Sequence, residues 1–206
     1  MSLSDTMRGD RCHIAIFGRT NAGKSSLINA MTGQDLAMVS EIGGTTTDPV
    51  EKAMEILPLG PCLLIDTPGL DDESDLGEQR VKKSLQILPQ ADMALVVMDL
   101  SRGSAEHWEK MQEIPDQDLD ILVRIMGQGI PFVLVCTQTD RLSGKECAAR
   151  LERIRGLHPD WPVIGVSAHT GQGIRELREM LAAQMPRQEQ DLHLLGDLVE
   201  PGDMVV

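Results

Sequence analysis

The 206-residue chain predicts an α/β fold, a mostly parallel central sheet with helices on both faces. Three observations carry that expectation. Short apolar, β-branched runs alternate with amphipathic helical ones along most of the chain. The run Asp92 to Leu100 is apolar almost throughout, as a strand buried on both faces requires. Polar or glycine-rich turns follow several of the strand-like runs, at the sheet edge where α/β folds bind ligands.

Taken in order, Cys12-His13-Ile14-Ala15-Ile16-Phe17 reads as a buried strand, and Ser26 to Met31 has good helix formers. A polar, Gly/Thr-rich stretch runs from Gly33 to Asp48. Val50 to Leu57 and Cys62 to Ile65 predict two strands joined by the Pro58-Leu59-Gly60-Pro61 turn. Gly77 to Leu88 predicts a helix ending before Pro89. After the Asp92 to Leu100 strand, a helix starts near Ala105, breaks near Pro115 and resumes to Met126. Pro131 to Cys136 predicts a strand, Lys145 to Gly156 a helix, Val163 to Val166 the last strand, and Gly173 to Gln184 the closing helix. The nucleotide-sized unit therefore spans residues 11–185. Residues 186–206 read as a polar linker, Arg187 to Asp191, and a fresh apolar segment that opens a second domain.

Aromatics make up only 2% of the chain, so the core is expected to be Leu, Ile, Val, Ala and Met, with the twelve methionines as filler. The formal charge of −13 opposes a nucleic-acid backbone. Arg150, Arg153 and Arg155 cluster, but Glu146 and Glu152 dilute them, and a solvated helix face is expected there. Cys12, Cys62, Cys136 and Cys147 form no CxxC pair; they read as small hydrophobes, and no metal is assigned to them. With no signal peptide or bilayer-length apolar run, a cytoplasmic chain with no membrane partner is expected.

Gly18-Arg19-Thr20-Asn21-Ala22-Gly23-Lys24-Ser25 is a GxxxxGKS string between a strand and a helix start. That context aims main-chain N–H groups, and the positive end of a helix dipole, at one anion. Lys24 would reach the terminal phosphates, Ser25 would hold magnesium, and Ser26 lies in the same helix start. Asp66-Thr67-Pro68-Gly69 follows a strand about forty residues later; Asp66 would act on magnesium and the Gly69 N–H on a γ-phosphate. Between them, Thr45 and Thr46 lie in Gly43 to Asp48, and Thr46 is favoured for a magnesium-binding hydroxyl in a loop ordered by triphosphate. Thr137-Gln138-Thr139-Asp140 follows another strand. Asp140 there would accept from N1–H and the 2-amino group of guanine, which adenine cannot offer in that geometry. Ser167-Ala168, after the last strand, would add a backbone N–H to guanine O6.

With these motifs in order, residues 11–185 resemble a GTPase G domain of the P-loop NTPase class. The resemblance implies GTP as substrate, GDP as product and Mg2+ as cofactor. One departure is Gln138, where the family usually has a Lys whose stem lies along the guanine plane. Asn21 to Ala30, with Gly44-Thr45-Thr46, is similar to the branch holding the tRNA-modification and ribosome-assembly GTPases. Within it, Gly44-Thr45-Thr46-Thr47-Asp48-Pro49, Leu70-Asp71-Asp72-Glu73 and the tail Gly196 to Asp203 look most like the FeFe-hydrogenase maturation GTPase. That family implies a scaffold for a di-iron cluster precursor. Its partners would be the hydrogenase maturation proteins and apo-hydrogenase, and its homodimer would form through a further domain. Its iron–sulfur cluster sits in another domain, so none is expected in this chain.

Leu70 replaces the water-orienting Gln of many GTPases, so hydrolysis is expected to be slow. The matching branch implies K+ near the phosphates, held partly by Asn21, and Glu78 reaching the attacking water through a second water. Lys24, Thr46, Gly69 and Glu78 are thus the candidate catalytic residues, and loops 33–48 and 67–78 the expected nucleotide sensors. A non-hydrolysing nucleotide scaffold and a tRNA- or ribosome-linked GTPase stay open as alternatives; an ATPase would leave Asp140 without a partner.

Overall fold

The computed structural model describes residues 11–32, 40–42, 50–66, 87–111, 114 and 116–185. In chain order the elements are β1 (Cys12–Gly18), α1 (Lys24–Thr32), β2 (Ser40–Ile42), β3 (Val50–Ile56), β4 (Gly60–Asp66), β5 (Met93–Asp99), α2 (Ala105–Lys110), α3 (Asp116–Gly127), β6 (Phe132–Thr137), α4 (Gly144–Leu157), β7 (Val163–Gly165) and α5 (Ile174–Gln184). The strands form one seven-stranded sheet in the order β2-β3-β4-β1-β5-β6-β7. From β4 through β7 every pairing is parallel; β3 runs antiparallel to β4, and β2 antiparallel to β3. The mostly parallel α/β sheet read from the sequence is the fold observed.

Alternation along β1 explains the two cores. Ala15 and Phe17 face one layer, with Leu122 and Ile125 of α3 and Ile154 of α4. Ile14 and Ile16 face the other, with Leu27, Ile28 and Met31 of α1 and Ile174, Leu177 and Leu181 of α5. The α5 residues recur at the helical period, so one stripe buries them all. Truncating fully buried Leu177 to Ala would cost about 2–5 kcal/mol.

The chain order fixes where a ligand sits. From β1 the chain passes to the edge strand β2 and returns inward through β3 to β4 beside β1, then crosses to β5, β6 and β7 on the other side. The switch point therefore lies at the carboxyl ends of β1 and β5, and a crevice opens there. Helix α4 is fixed close to this edge by a capping box: the Ser143 hydroxyl accepts from the Glu146 N–H, and Glu146 accepts from the Ser143 N–H. The Ser143 hydrogen bonds also hold the Glu146 carboxyl below its usual range.

Two expectations change, that of the polar stretch and that of the Arg cluster. The polar stretch from Gly33 to Asp48 contains β2, whose Ser40–Ile42 backbone pairs with Glu51 to Ala53. Leu88–Gln90 forms a single 3-10 turn with Ile87 as its N-cap, in which the missing N–H of Pro89 is not needed. The Arg cluster on α4 is a solvated face only in part: Arg153 and Arg155 are exposed, but Arg150 is buried, donating to the carbonyls of Leu100, Arg102 and Gly103. The predicted helix from Gly77, apart from its last two residues, and the segment 186–206 lie outside the described residues. Among the described residues no helix is long and apolar enough to cross a membrane.

Candidate functional site

The turn after β1 is shaped by its glycines. Gly18 sits at φ 150°, and a Cβ there would meet the Val97 carbonyl oxygen at 2.3 Å on neighbouring β5. No side chain fits. Asn21 (φ 62°) and Gly23 (φ 93°) also take left-handed backbone, and the loop folds back so that the Ala22 N–H donates to the Arg19 carbonyl at 3.2 Å. Lys24 opens α1, nearly buried, with Nζ donating to the carbonyls of Gly18 (2.8 Å) and Arg19 (2.9 Å). The ammonium is thereby held beneath the turn, at the dipole-positive end of α1.

Asp66 ends β4 beside this turn, and the Ser25 hydroxyl donates to its Oδ2 at 3.4 Å. Its Oδ1 is buried without a hydrogen-bond partner among the described residues. Burial raises the Asp66 pKa, against the opposing Lys24 charge and the Ser25 hydrogen bond. A carboxylate oxygen buried without a donor beside a hydroxyl fits a hard, oxygen-seeking cation such as Mg2+.

At the other end, Thr137 closes β6 and its buried hydroxyl donates to the Ala22 carbonyl at 2.6 Å, joining the two motifs directly. Gln138, at φ 60°, donates from Nε2 to the Asn21 carbonyl at 3.2 Å. Asp140 is exposed at the cleft, and its Oδ1 accepts from the Ser167 hydroxyl at 2.6 Å. That hydrogen bond holds the Asp140 carboxyl below its usual range, so it is an acceptor at neutral pH. The Ser167 N–H donates to the Gln172 carbonyl at 2.9 Å. Of the Ser167-Ala168 pair, the Ser167 amide is therefore engaged within the fold, while Ala168 lines the cleft.

A cleft of about 590 Å³ runs between these ends, lined by Asn21, Gly23, Lys24, Ser25, Ser26, Thr137, Gln138, Asp140 and Ala168. Asp99, Arg141 and His169 line it too, and the sequence reading missed them. Asp99 ends β5 as Asp66 ends β4, which is the signal that was available; its Oδ1 accepts from the Ser101 N–H and hydroxyl. Arg141 and His169 directly follow Asp140 and Ala168. Arg19 and Ala22 line a smaller neighbouring cavity of about 250 Å³ instead. Gly18, Thr20, Asp66 and Ser167 are not among the cleft-lining residues. Thr45, Thr46, Thr67, Pro68, Gly69 and Glu78 lie outside the described residues.

A phosphate-binding turn at the switch point, joined through Thr137 to a carboxylate-bearing turn, defines a P-loop GTPase. The chain belongs to the 50S ribosome-binding GTPase family, whose model matches residues 13–138. It is 35% identical over 184 residues to the mitochondrial 5-taurinomethyluridine-tRNA synthase subunit GTPB3 of Danio rerio, covering 87% of this chain and 36% of that protein. It is 35% identical over 171 residues to the tRNA modification GTPase MnmE of Heliobacterium modesticaldum, covering 81% and 32%. The chain thus spans about a third of the length of the curated relatives it matches. Among solved structures, Era in complex with MgGDPNP and a segment of 16S ribosomal RNA matches with TM-score 0.67 and 26% identity, covering 94% of this chain and 60% of that one. The G domain of the T. maritima FeoB iron transporter matches with TM-score 0.57 and 26% identity, covering 84% and 98%.

Proposed function

We propose that this chain is a magnesium-dependent, potassium-stimulated GTPase domain that turns over slowly alone and signals nucleotide state to other domains. The observation that carries it is the span of the cleft: Lys24 and Ser25 at one end, the ionised Asp140 carboxylate at the other, both anchored through Thr137. The turn from Gly18 to Ser26 cradles the phosphates, and Lys24 neutralises charge that develops on the transferred phosphoryl group. Ser25, Asp66 and Thr46 hold Mg2+, which supplies further charge neutralisation when bound. Of the motif residues outside the described ones, Thr45 adjoins Thr46 in sequence, Thr67 and Pro68 lead to Gly69, whose N–H would meet the γ-phosphate, and Glu78 would reach the attacking water through a second one. Thr137 and Gln138 brace the guanine end, Asp140 reads the ring's N–H groups and Ala168 offers O6 a backbone donor. The side chain of Asn21, exposed at the cleft, contributes to a K+ site. Calorimetric titration with GTP, GDP and ATP, in potassium and then sodium buffer, tests the reading together with single-turnover GTP cleavage. Equal uptake of adenine and guanine nucleotides would overturn it, and equal cleavage in sodium would remove the Asn21 role.

For the larger protein that such a domain serves, the similarity to tRNA-modification GTPases supports a role in tRNA modification. A second reading, the nucleotide domain of an FeFe-hydrogenase maturation scaffold, is favoured by the strings Gly44 to Pro49 and Gly196 to Asp203, and by a charge of −13 that opposes RNA. Titration with tRNA at physiological salt separates them. Saturable binding supports the first; no binding, with nucleotide-dependent capture of hydrogenase maturation proteins, supports the second.

A further inference from the structure

Three sulfur atoms converge at the edge of the sheet away from the cleft. Cys12 opens β1 and is the direct register partner of Cys62 on parallel β4. Adjacent strands lie about 4.8 Å apart, and paired residues project to the same face. Both side chains therefore point into the layer that packs under α1 and α5. From that layer Met185, at the carboxyl end of α5, approaches so that the Cys12 Sγ lies 3.3 Å from the Met185 Sδ. Cys62 is fully buried, and Cys12 only partly, which leaves a path from solvent to the cluster. Five residues of β1 lie between it and Gly18, roughly 20 Å of extended chain.

We propose that Cys12, Cys62 and Met185 form a binding site for one soft monovalent cation, copper(I). The donor set selects the ion. Two thiolates and a thioether are soft ligands, and a thioether suits copper(I) rather than the hard or borderline ions that carboxylate, water or imidazole serve. Zinc would require four Cys, His or carboxylate donors, and among the described residues no group of three or more His, Cys, Asp or Glu could hold a metal. Without the ion, the Cys12 thiol donates to the Met185 Sδ and the Cys62 thiol to the Gly60 carbonyl at 3.3 Å, bonds that binding would replace. Binding replaces both thiol protons, which leave to solvent, by one Cu+; no electron is transferred, and the site carries one negative charge shared over the sulfurs.

The test uses the whole chain, fully reduced and under nitrogen, titrated with copper(I) against a chromogenic copper(I) chelator. One copper per chain should be retained, with an X-ray absorption edge of copper(I) and a shell of sulfur only. Losing a ligand should cost at least the roughly 10- to 100-fold in affinity that loss of an outer-shell partner costs. Cys12→Ser and Cys62→Ala should each show that loss, and Met185→Leu should weaken binding without changing its stoichiometry. Cys147→Ser, a half-buried thiol on α4, should change nothing. Cys12→Ser sits at a partly exposed strand end, so it carries the test if Cys62→Ala fails to fold, and unchanged GDP affinity verifies its fold. No retention against the chelator, equal retention by Cys12→Ser, or a shell of nitrogen and oxygen would overturn the proposal. Equal affinity of Met185→Leu would overturn the three-sulfur site.

Discussion

The Gln138 side chain crosses the cleft to the phosphate-binding turn, its Nε2 donating to the Asn21 carbonyl at 3.2 Å while both residues hold left-handed backbone, φ 60° and 62°. A neutral amide thus makes the brace that ties the base-reading turn to the phosphate turn. Gln138→Ala removes a hydrogen bond worth about 0.5–1.5 kcal/mol, so GDP affinity should fall roughly 2- to 12-fold by calorimetry. Gln138→Lys, with a longer stem and an ammonium donor, should recover most of it. Unchanged affinity of Gln138→Ala would show that the brace contributes nothing to binding.

In the proposed function Ser167 would act on guanine through Asp140. Its hydroxyl donates to Asp140 Oδ1 and lowers that carboxyl's pKa, so the acceptor stays charged until the pH falls through the depressed value. Ser167→Ala should move the acid limb of GDP binding to higher pH, with little change at pH 8. The sign is fixed, because the carboxylate must be ionised to accept both guanine N–H groups. A fluorescent GDP analogue titrated from pH 7 downward reads the shift, and coincident profiles would refute it. Asp140→Asn should lose guanine affinity and gain xanthine, whose 2-oxo group meets the new amide donor.

Asp66 sets stability against function. Burial raises its pKa, so between its unfolded and folded values the native state binds more protons and stability falls as pH rises. At neutral pH its ionised form is therefore a cost to the fold, which a bound cation would offset. Asp66→Asn should raise the melting temperature without nucleotide while abolishing the magnesium dependence of GTP binding. A variant that melts lower at pH 7.5 would contradict this.

Thr137 ties the sheet to the phosphate turn through one buried hydroxyl. Thr137→Val keeps the shape but leaves the Ala22 carbonyl without its 2.6 Å donor. Leaving a buried acceptor unpaired costs about 1–3 kcal/mol, measurable by urea denaturation. GDP affinity should fall as well, since the turn loses its anchor.

Features set by local chemistry were legible in the sequence. Gly18 and Asp66 end apolar strands, Lys24 opens the helix after the first of them and Asp140 lies in the turn after β6, so a short-range pattern of strand, turn and helix suffices to place them. What depends on distant partners was not. β2 is three residues in a polar stretch, and it exists because β3 presents an unpaired edge. Asp99 was legible as a strand-end carboxylate, but its place on the cleft wall follows from β5 lying beside β1, a fact of topology. The Ser167 amide is engaged by Gln172 through a turn that no spacing announces.

Arg150 is the clearest case of the second kind, and it yields the last prediction. Helical spacing beside Glu146 and Glu152 gave no sign that this guanidinium is buried. It forks onto the Leu100 carbonyl at 2.8 Å and the Gly103 carbonyl at 3.3 Å, with its Cζ 5.2 Å from the Trp108 ring centroid. The loop it holds continues directly from Asp99 at the cleft wall. Arg150→Met keeps the packing and removes charge-assisted hydrogen bonds, so stability should fall by roughly 3 kcal/mol. Arg150→Lys should recover little, because an ammonium cannot reproduce the planar fork. Urea denaturation of the three proteins decides it: if Lys equals Arg, only the positive charge matters there and the fork geometry does not.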